Sequence, residues 1–550
     1  MKKFLAIVLA LTIVLSLCAC GKAGGSNGGH GLTEDGRVKL SIGLPTSALI
    51  LSHDNNAFTK WIEEKCGVEL TFVEYAGGTD VATQISTTIA ARQELPDILW
   101  GIGLNEGTIS RYGRDGYFQN LTSYYEDKEG ASKVFWDRIA TDLTEEEQDL
   151  LIRKMKDPVD GNVYGCPTVE TSLFDKQQFQ VWINKVWLDK LGLQHPTNNE
   201  ELVNVLRAFK TQDPNGNGMA DEIPLFGSEN GGLGMHVVDW LMNLFVYYDS
   251  NRAYHVDDNG KLSQVYLKDE FREGLKFVNY LYKEQLLTSL AWTATSGEAK
   301  TINTPATGTA LVGIFCGHLT PAVTRDSAVL YEYEPLKTWG YAIRNDMSAS
   351  VSTYITETCT DVDKAFEVMM AAWSWEGSMR SRYGEYGVNW TDPTPGAITH
   401  VGLPAKYKLL NDPLSIQNTA KWSKMGPVMN IMAEGEEGEL AEEMSDWFKF
   451  KSDLHAQQYR LLKEVEDTKN PKKKCPLLVY TDEEEKALEA ESSNVSNRRK
   501  KAMTEFCTGI LDPNSDADWE AYKKQLTDFG APKLLERAQK AYDRTVNIDI

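Results

Sequence analysis

The chain has 550 residues, of which 42% are apolar, 25% charged and 10% aromatic. That balance excludes a disordered, collagen-like or multi-span membrane chain, and the length calls for more than one lobe. Seventy-nine acids against 57 bases give a net charge of −22, which disfavours non-specific binding to nucleic acid or anionic lipid, and eight cysteines are too few for a disulfide scaffold.

Lys2 and Lys3 precede an apolar run from Phe4 to Leu17. The run is shorter than the roughly 20 residues that span a bilayer, so residues 1–19 read as a secretory signal peptide. The stretch Leu17-Cys18-Ala19-Cys20-Gly21 resembles the bacterial lipobox, with Leu17 at −3, Ala19 at −1 and Cys20 at +1. The resemblance implies a diacylglyceryl thioether on Cys20 that anchors the chain to the outer face of the cell membrane. The alternative is a secreted chain with an incidental cysteine. Residues 20–36 form the lipid-anchored linker, and Gly21 to Gly31 has the Gly-rich composition of a flexible tether. No later stretch is long and apolar enough to span a membrane.

Val38–Leu44 alternates as a strand, and a helix follows near Ala57 to Lys65. Val68–Val73 is a second strand, Thr79 to Arg92 a helix, and Pro96–Trp100 a third strand that ends in glycines. Repeated β-α-β units predict a mostly parallel sheet under helices, with ligands beyond the carboxyl ends of the strands. Phe179–Ile183 reads as a strand, and Trp187 to Leu191 as a helical turn stopped by Gly192. Pro196 and Thr197 open a further helix, with capping-box spacing from Thr197 to Glu200. Leu202, Val205, Leu206 and Phe209 form its apolar stripe, and Phe271, Leu275, Val278 and Tyr282 mark a later one. Beyond residue 435 the chain is helix-rich and charged, and its charge runs read as solvated faces. Cys66, Cys166, Cys316, Cys359, Cys475 and Cys507 make no C-x-x-C pair, which argues against a zinc ribbon; disulfides and isolated buried thiols both stay open.

Residues 213–224 carry oxygen side chains at Asp213, Asn215, Asn217 and Asp221, with Gly218 at the sixth position. Alternate oxygens on a tightly curled chain suit one hard cation, and the pattern is the start of an EF-hand-like calcium loop. Met219 offers its carbonyl. Pro224 replaces the usual twelfth-position Glu, and Glu222 is the available substitute. A structural Ca²⁺ fits this charge better than Mg²⁺. The competing reading is an Asx-rich turn without metal.

The block Val181-Trp-Ile-Asn-Lys-Val-Trp-Leu-Asp-Lys-Leu-Gly-Leu193, then Pro196-Thr197, Ala208-Phe209 and the loop Asp213 to Pro224, resembles the extracellular solute-binding protein family 1. The nearer likeness is to its large lipoprotein members related to alginate- and oligosaccharide-binding proteins. Gly161–Gly165, Gly313–Gly317 and Arg382–Gly387 are similar in style. The resemblance implies a periplasmic-binding-protein-like α/β fold: two α/β lobes joined by a multi-segment hinge, with a helix-rich C-terminal extension. Lobe I then comprises 37–168 plus 350–395, and lobe II 169–349 plus 396–550. It also implies calcium held by Asp213, Asn215, Asn217, Met219, Asp221 and Glu222.

Sugar rings lie flat on aromatic faces, and the chain has 14 tryptophans. Trp100, Trp240, Trp292, Trp375, Trp390 and Trp422 fall in loops or at element ends, with Glu74, Tyr75 and His318 as polar candidates; for any single Trp a core or loop-anchoring role is the stronger reading. The reading is a membrane-tethered, extracytoplasmic binding protein, monomeric, that passes an oligosaccharide to the permease subunits of an ABC importer and does no chemistry. The alternative is a glycoside hydrolase or polysaccharide lyase using paired carboxylates. No H-E-x-x-H, G-x-S-x-G or phosphate loop is present to favour an enzyme.

Overall fold

The computed structural model describes residues 31–546 except 78–79, 173–176, 233, 304–308, 344–346, 412–416, 424, 431–435, 472–473, 477, 479 and 481. The expected signal peptide, Cys20 and most of the linker lie outside the described residues. Two large hydrophobic cores carry the rest, and each forms around its own sheet.

The first sheet has six strands. Val38–Pro45 and Val68–Tyr75 run parallel in register, Val38 opposite Val68, and Ile98–Leu99 joins on the other side, parallel through Ile42 and Ile98. The alternation read from the sequence is a burial pattern: Leu40, Ile42 and Leu44 are all inside. Buried Asp97 tightens this edge by accepting from the Ser41 backbone N–H and hydroxyl, both at 2.7 Å. Ser348–Ile355 then adds antiparallel to Ile98–Leu99, and Cys166–Glu170 antiparallel to Ser348–Ile355. Met429–Asn430 closes the far edge. The helix Ala57–Cys66 covers one side; Asn56 caps it and Gly67 ends it at φ 65°, a left-handed turn that glycine takes without strain.

The second sheet has four strands, in the order Tyr333–Pro335, Val181–Asn184, Val312–Cys316 and Ile223–Phe226. The helix Asn199–Thr211 buries Leu202, Val205, Leu206 and Phe209 against it, the stripe read from spacing. Its cap differs from the expected Thr197–Glu200 box. Asn198 is the N-cap and accepts from the Glu201 N–H, while the Glu201 carboxylate reaches back to the Thr197 N–H and hydroxyl at 2.8 Å. The cap therefore sits one residue later than expected, because an amide side chain at 198 caps as well as a hydroxyl at 197, and Glu201 bonds the residue before the cap rather than the cap itself. The C-terminal helices Asp482–Thr508, Asp516–Asp528 and Ala531–Val546 pack on this second core through Phe506, Trp519, Tyr522, Leu526 and Leu534.

Cys166–Glu170 lies in the first sheet and Val181–Asn184 in the second; Tyr333–Pro335 lies in the second and Ser348–Ile355 in the first. The chain thus crosses between cores after 170 and again before 348. Met379, Tyr383, Trp390, Tyr407, Leu409, Met444 and Phe448 form a small third cluster. Trp422 and Met429, late in the sequence, pack into the first core. Arg138 ties these parts together. It is buried, and its guanidinium donates to the Trp373 carbonyl, the Ser378 hydroxyl and the Met429 carbonyl. Burial lowers its pKa only to about 10, so it stays charged. The six cysteines among the described residues are buried and none forms a disulfide, and burial pushes the Cys66 thiol up to about 11.

Candidate functional site

The ends of the first-core strands gather one aromatic nest. Glu74 and Tyr75 finish Val68–Tyr75. The Glu74 carboxylate is half exposed and lies 2.7 Å from Nδ1 of His53, which is buried. His53 packs edge-on against Trp422 at 5.6 Å, and Trp422 meets Trp100, Phe58 and Phe72 at 5.2–5.6 Å. Trp422 and Trp100 are fully enclosed. Their N–H groups are also spent: Trp422 donates to the Thr59 hydroxyl at 3.1 Å and Trp100 to the Met425 carbonyl at 3.0 Å. Gly426 sits against the Trp100 indole at φ 102°, where a Cβ would fall 1.8 Å from the ring nitrogen, so only glycine fits. Sequence reading missed His53. Its signal was the polar run Ser52 to Asn56 just beyond the first strand.

The second-core candidates are more scattered. His318 follows the strand Val312–Cys316 and sits at the N-cap position of Leu319–Ala322. Gly317 next to it accepts from the Trp182 indole at 2.9 Å. Trp240 is inside the core, 3% exposed. Trp292 is partly buried, stands edge-on to Tyr282 at 5.4 Å, and its carbonyl accepts from Asn230 at 2.7 Å. Trp390 is buried in the third cluster and donates to the Gly384 carbonyl. Trp375 is partly exposed at the edge of that cluster, with Arg138 and Lys406 over its ring at 5.7 and 5.9 Å.

A cavity of about 690 Å³ lies elsewhere, between the second core and the C-terminal helix Asp482–Thr508. It is of ligand size. Of the sequence candidates only Trp292 lines it; Glu229, His236, Asp239, Tyr248 and Arg499 are among its walls. None of these five stood out in the sequence, because they come from four separate stretches of chain, His236 standing at the N-cap of the short helix that carries Asp239, and the cavity exists only once the C-terminal helix has docked.

The loop 213–222 is curled as a cation loop requires. Asp213, Gly216 and Gly218 have φ of 47°, 73° and 74°. The Gly218 N–H donates to Asp213 Oδ2 at 3.2 Å, and the Met219 N–H to Asn217 Oδ1 at 2.7 Å. Asn215 and Asn217 both turn their amide groups on the Asp221 carboxylate, at 2.9–3.1 Å. Two acid oxygens, Asp213 Oδ1 and Glu222 Oε1, are buried with no hydrogen-bond partner. Burial raises the Glu222 carboxyl, helped by Asp221 and Asp213. Among the described residues no group of three or more His, Cys, Asp or Glu is set to hold a metal; a site here would draw on amide and backbone oxygens as well. The orphaned acid oxygens fit a hard cation, which would satisfy both.

No protein-family model matches the chain. Over 299 residues it is 26% identical to the fructooligosaccharide ABC transporter substrate-binding protein FusA of Streptococcus pneumoniae, spanning 52% of this chain and 53% of that protein. Over 286 residues it is 25% identical to lipoprotein LipO of Bacillus subtilis, spanning 52% of this chain and 51% of LipO. The alignments thus cover about half the length of these curated relatives. Among solved structures, FusA in complex with kestose has a TM-score of 0.68 at 20% identity and covers 92% of this chain and 99% of its own. FusA was also solved as an EF-hand mutant with fructo-nystose. An extracellular solute-binding protein of Bifidobacterium longum subsp. infantis has a TM-score of 0.72 at 22% identity, covering 94% and 100%. The homologues are ABC-transporter substrate-binding proteins, and the fold is the periplasmic-binding-protein-like one of solute-binding proteins.

Proposed function

We propose that the chain captures an oligosaccharide or related carbohydrate between its two lobes and delivers it unaltered to the permease subunits of an ABC importer. The observation that carries this reading is the 26% identity over 299 residues to a fructooligosaccharide-binding protein. The fold supports it, since the two cores are joined by repeated crossings on which closure can hinge. Glu74, Tyr75 and His318 stand at strand ends where such ligands bind. Calorimetry of the full chain against a glycan panel that begins with kestose tests it. Saturable heat with the sugar recovered intact is the expected result. Conversion of the sugar would replace this reading with the paired-carboxylate enzyme.

The same proposal includes a structural calcium ion on Asp213, Asn215, Asn217, the Met219 carbonyl, Asp221 and Glu222. The FusA EF-hand mutant supports it, as do the two orphaned carboxylate oxygens. Such an ion neutralises three crowded acids and fixes the turn between the helix Asn199–Thr211 and the strand Ile223–Phe226. For the asparagines to serve as ligands, their amides turn over so that oxygen faces the ion. EDTA should lower the melting temperature, and Ca²⁺ should restore it.

The anchor is proposed at Cys20, which holds the chain outside the cell as a monomer on its glycine tether. Among the described residues no helix is long and apolar enough to cross a membrane. Cys20→Ala should release the protein into the medium, and unchanged retention would overturn the anchor.

A further inference from the structure

The 690 Å³ cavity beside the C-terminal helix is built like a site. All its walls come from residues 229–292 and 480–534, so it belongs to the second core and its helical extension, without the first core. Partly exposed Tyr254, Trp292 and Tyr480 give it aromatic faces, with Tyr248 and Tyr266 buried behind them. Arg499 is the group that points to a ligand. It is 7% exposed, and its Nε is buried with no hydrogen-bond partner. Its one anchoring bond runs from Nη2 to the Ser250 carbonyl at 3.0 Å. The rings of Tyr248 and Tyr266 hold the guanidinium at 5.9 and 5.5 Å from their centroids. Among the described residues no carboxylate pairs with it within 4 Å. A buried guanidinium with a free N–H and no hydrogen-bonded counter-ion, Asp239 acting on it only at longer range, invites an anion to that N–H.

The other charges around the cavity set the sign. Lys500 and Lys501 are exposed on the same helix, and Arg252 faces them. Arg252 lies 3.7 Å from Asp249, and Lys501 3.8 Å from Glu505, so that among the described residues Lys500 is a cation at the rim with no carboxylate within 4 Å. Two acids also line the cavity, and both are engaged. Glu229 accepts from the Val238 N–H at 2.9 Å, and burial beside Asp239 raises its carboxyl so that it is held largely neutral. Asp239 lies 3.8 Å from His236 Nδ1, and His236 Nε2 donates to the Gly231 carbonyl at 3.0 Å. Asp239 raises the His236 pKa to about 9, so the ring is held charged beside that carboxylate.

We infer that this cavity is a second ligand site, separate from the cleft between the cores, that takes a sugar acid of one or two rings, its carboxylate on Arg499 and its ring faces on the tyrosines. The carboxylate completes the fork left open at Nε, and Lys500 draws the anion to the rim through an otherwise acidic surface. A neutral Glu229 offers a hydroxyl to a sugar oxygen at close range. The site does not depend on the cleft reading, since no first-core residue contributes to it.

The test is calorimetry of the full chain with glucuronate, galacturonate and their disaccharides, set against the matching neutral sugars. At least one uronate should bind, and its neutral partner should not. Arg499→Gln should weaken that binding by about tenfold or more, the loss of a charge-assisted fork. Arg499 is buried and its variant can unfold, so the exposed Lys500→Glu serves as the second variant, with an expected loss of about three- to tenfold. Glu64→Gln, exposed on the first-core helix Ala57–Cys66, should leave uronate binding unchanged. Three results would overturn the inference: no heat from any uronate at about 10 mM, equal binding of the neutral sugars, or affinity undiminished in both Arg499→Gln and Lys500→Glu.

Discussion

The nest around Trp422 and the cavity around Tyr248 are both rich in aromatic rings, yet one is full and the other hollow. In the nest His53, Phe58, Phe72 and Trp100 stand against Trp422 at 5.2–5.6 Å, and both indole N–H groups find protein acceptors. In the cavity the rings face about 690 Å³ of space, and a guanidinium nitrogen and two acids share it. Aromatic content therefore does not separate core from site. What separates them is whether the rings close on one another or line open space; each region keeps a buried nitrogen without a hydrogen-bond partner, His53 Nε2 in the nest and Arg499 Nε at the cavity.

Emptying the full region should have the larger consequence. Trp422→Ala removes the ring that four others lean on, and leaves the Thr59 hydroxyl without its donor. A loss of about 3–5 kcal/mol in urea unfolding is expected, as for large-to-small changes in a close-packed core. A loss below about 1 kcal/mol would mean that the nest is loosely filled and that the contrast with the cavity is false.

The hollow region should instead show itself through pH. Burial and the charge of Asp239 raise the Glu229 carboxyl from 4.5 to about 8. Folding thus favours its protonated form. That contribution is whole below pH 4.5 and is lost as pH rises through 8. His236, raised from 6.5 to about 9 by its Asp239 partner, acts in the same direction, present below 6.5 and lost as pH climbs through 9. Stability should fall by roughly 1–3 kcal/mol between pH 5 and pH 9. Glu229→Gln, which is neutral at every pH, should remove most of the Glu229 share. A flat profile for the unmodified chain, or an unchanged slope in Glu229→Gln, would show that the acid is not enclosed beside the cavity.

Much of this was legible in the sequence, and the part that was not has a physical cause. The strands Val38–Pro45 and Val68–Tyr75 and the helix Asn199–Thr211 follow from period and capping, because each buries one face of its own residues. The loop at 213–222 was legible because its oxygens and glycines are local in sequence. The partners of Trp100 and Trp422 were not, for they meet across more than 300 residues: Trp100 finds its acceptor at Met425 and Trp422 at Thr59. Arg499 was hidden in a charge run that reads as a solvated face. Only the docking of its helix on Tyr248 and Tyr266 turns one arginine of that run inward.

Trp292 sits between the two cases and sharpens the comparison most finely. It lines the cavity, as one candidate among the tryptophans, but one edge meets Tyr282 at 5.4 Å and its backbone carbonyl holds Asn230. The carbonyl bond survives a side-chain change, so Trp292→Ala should forfeit only the ring pair and part of its burial. That is about 1 kcal/mol, well below the effect at Trp422. If Trp292→Ala is nearly neutral for unfolding and yet weakens sugar-acid binding, the ring works for the ligand. A loss as large as that of Trp422→Ala would place Trp292 in the core, and the aromatic wall of the cavity would then be structural.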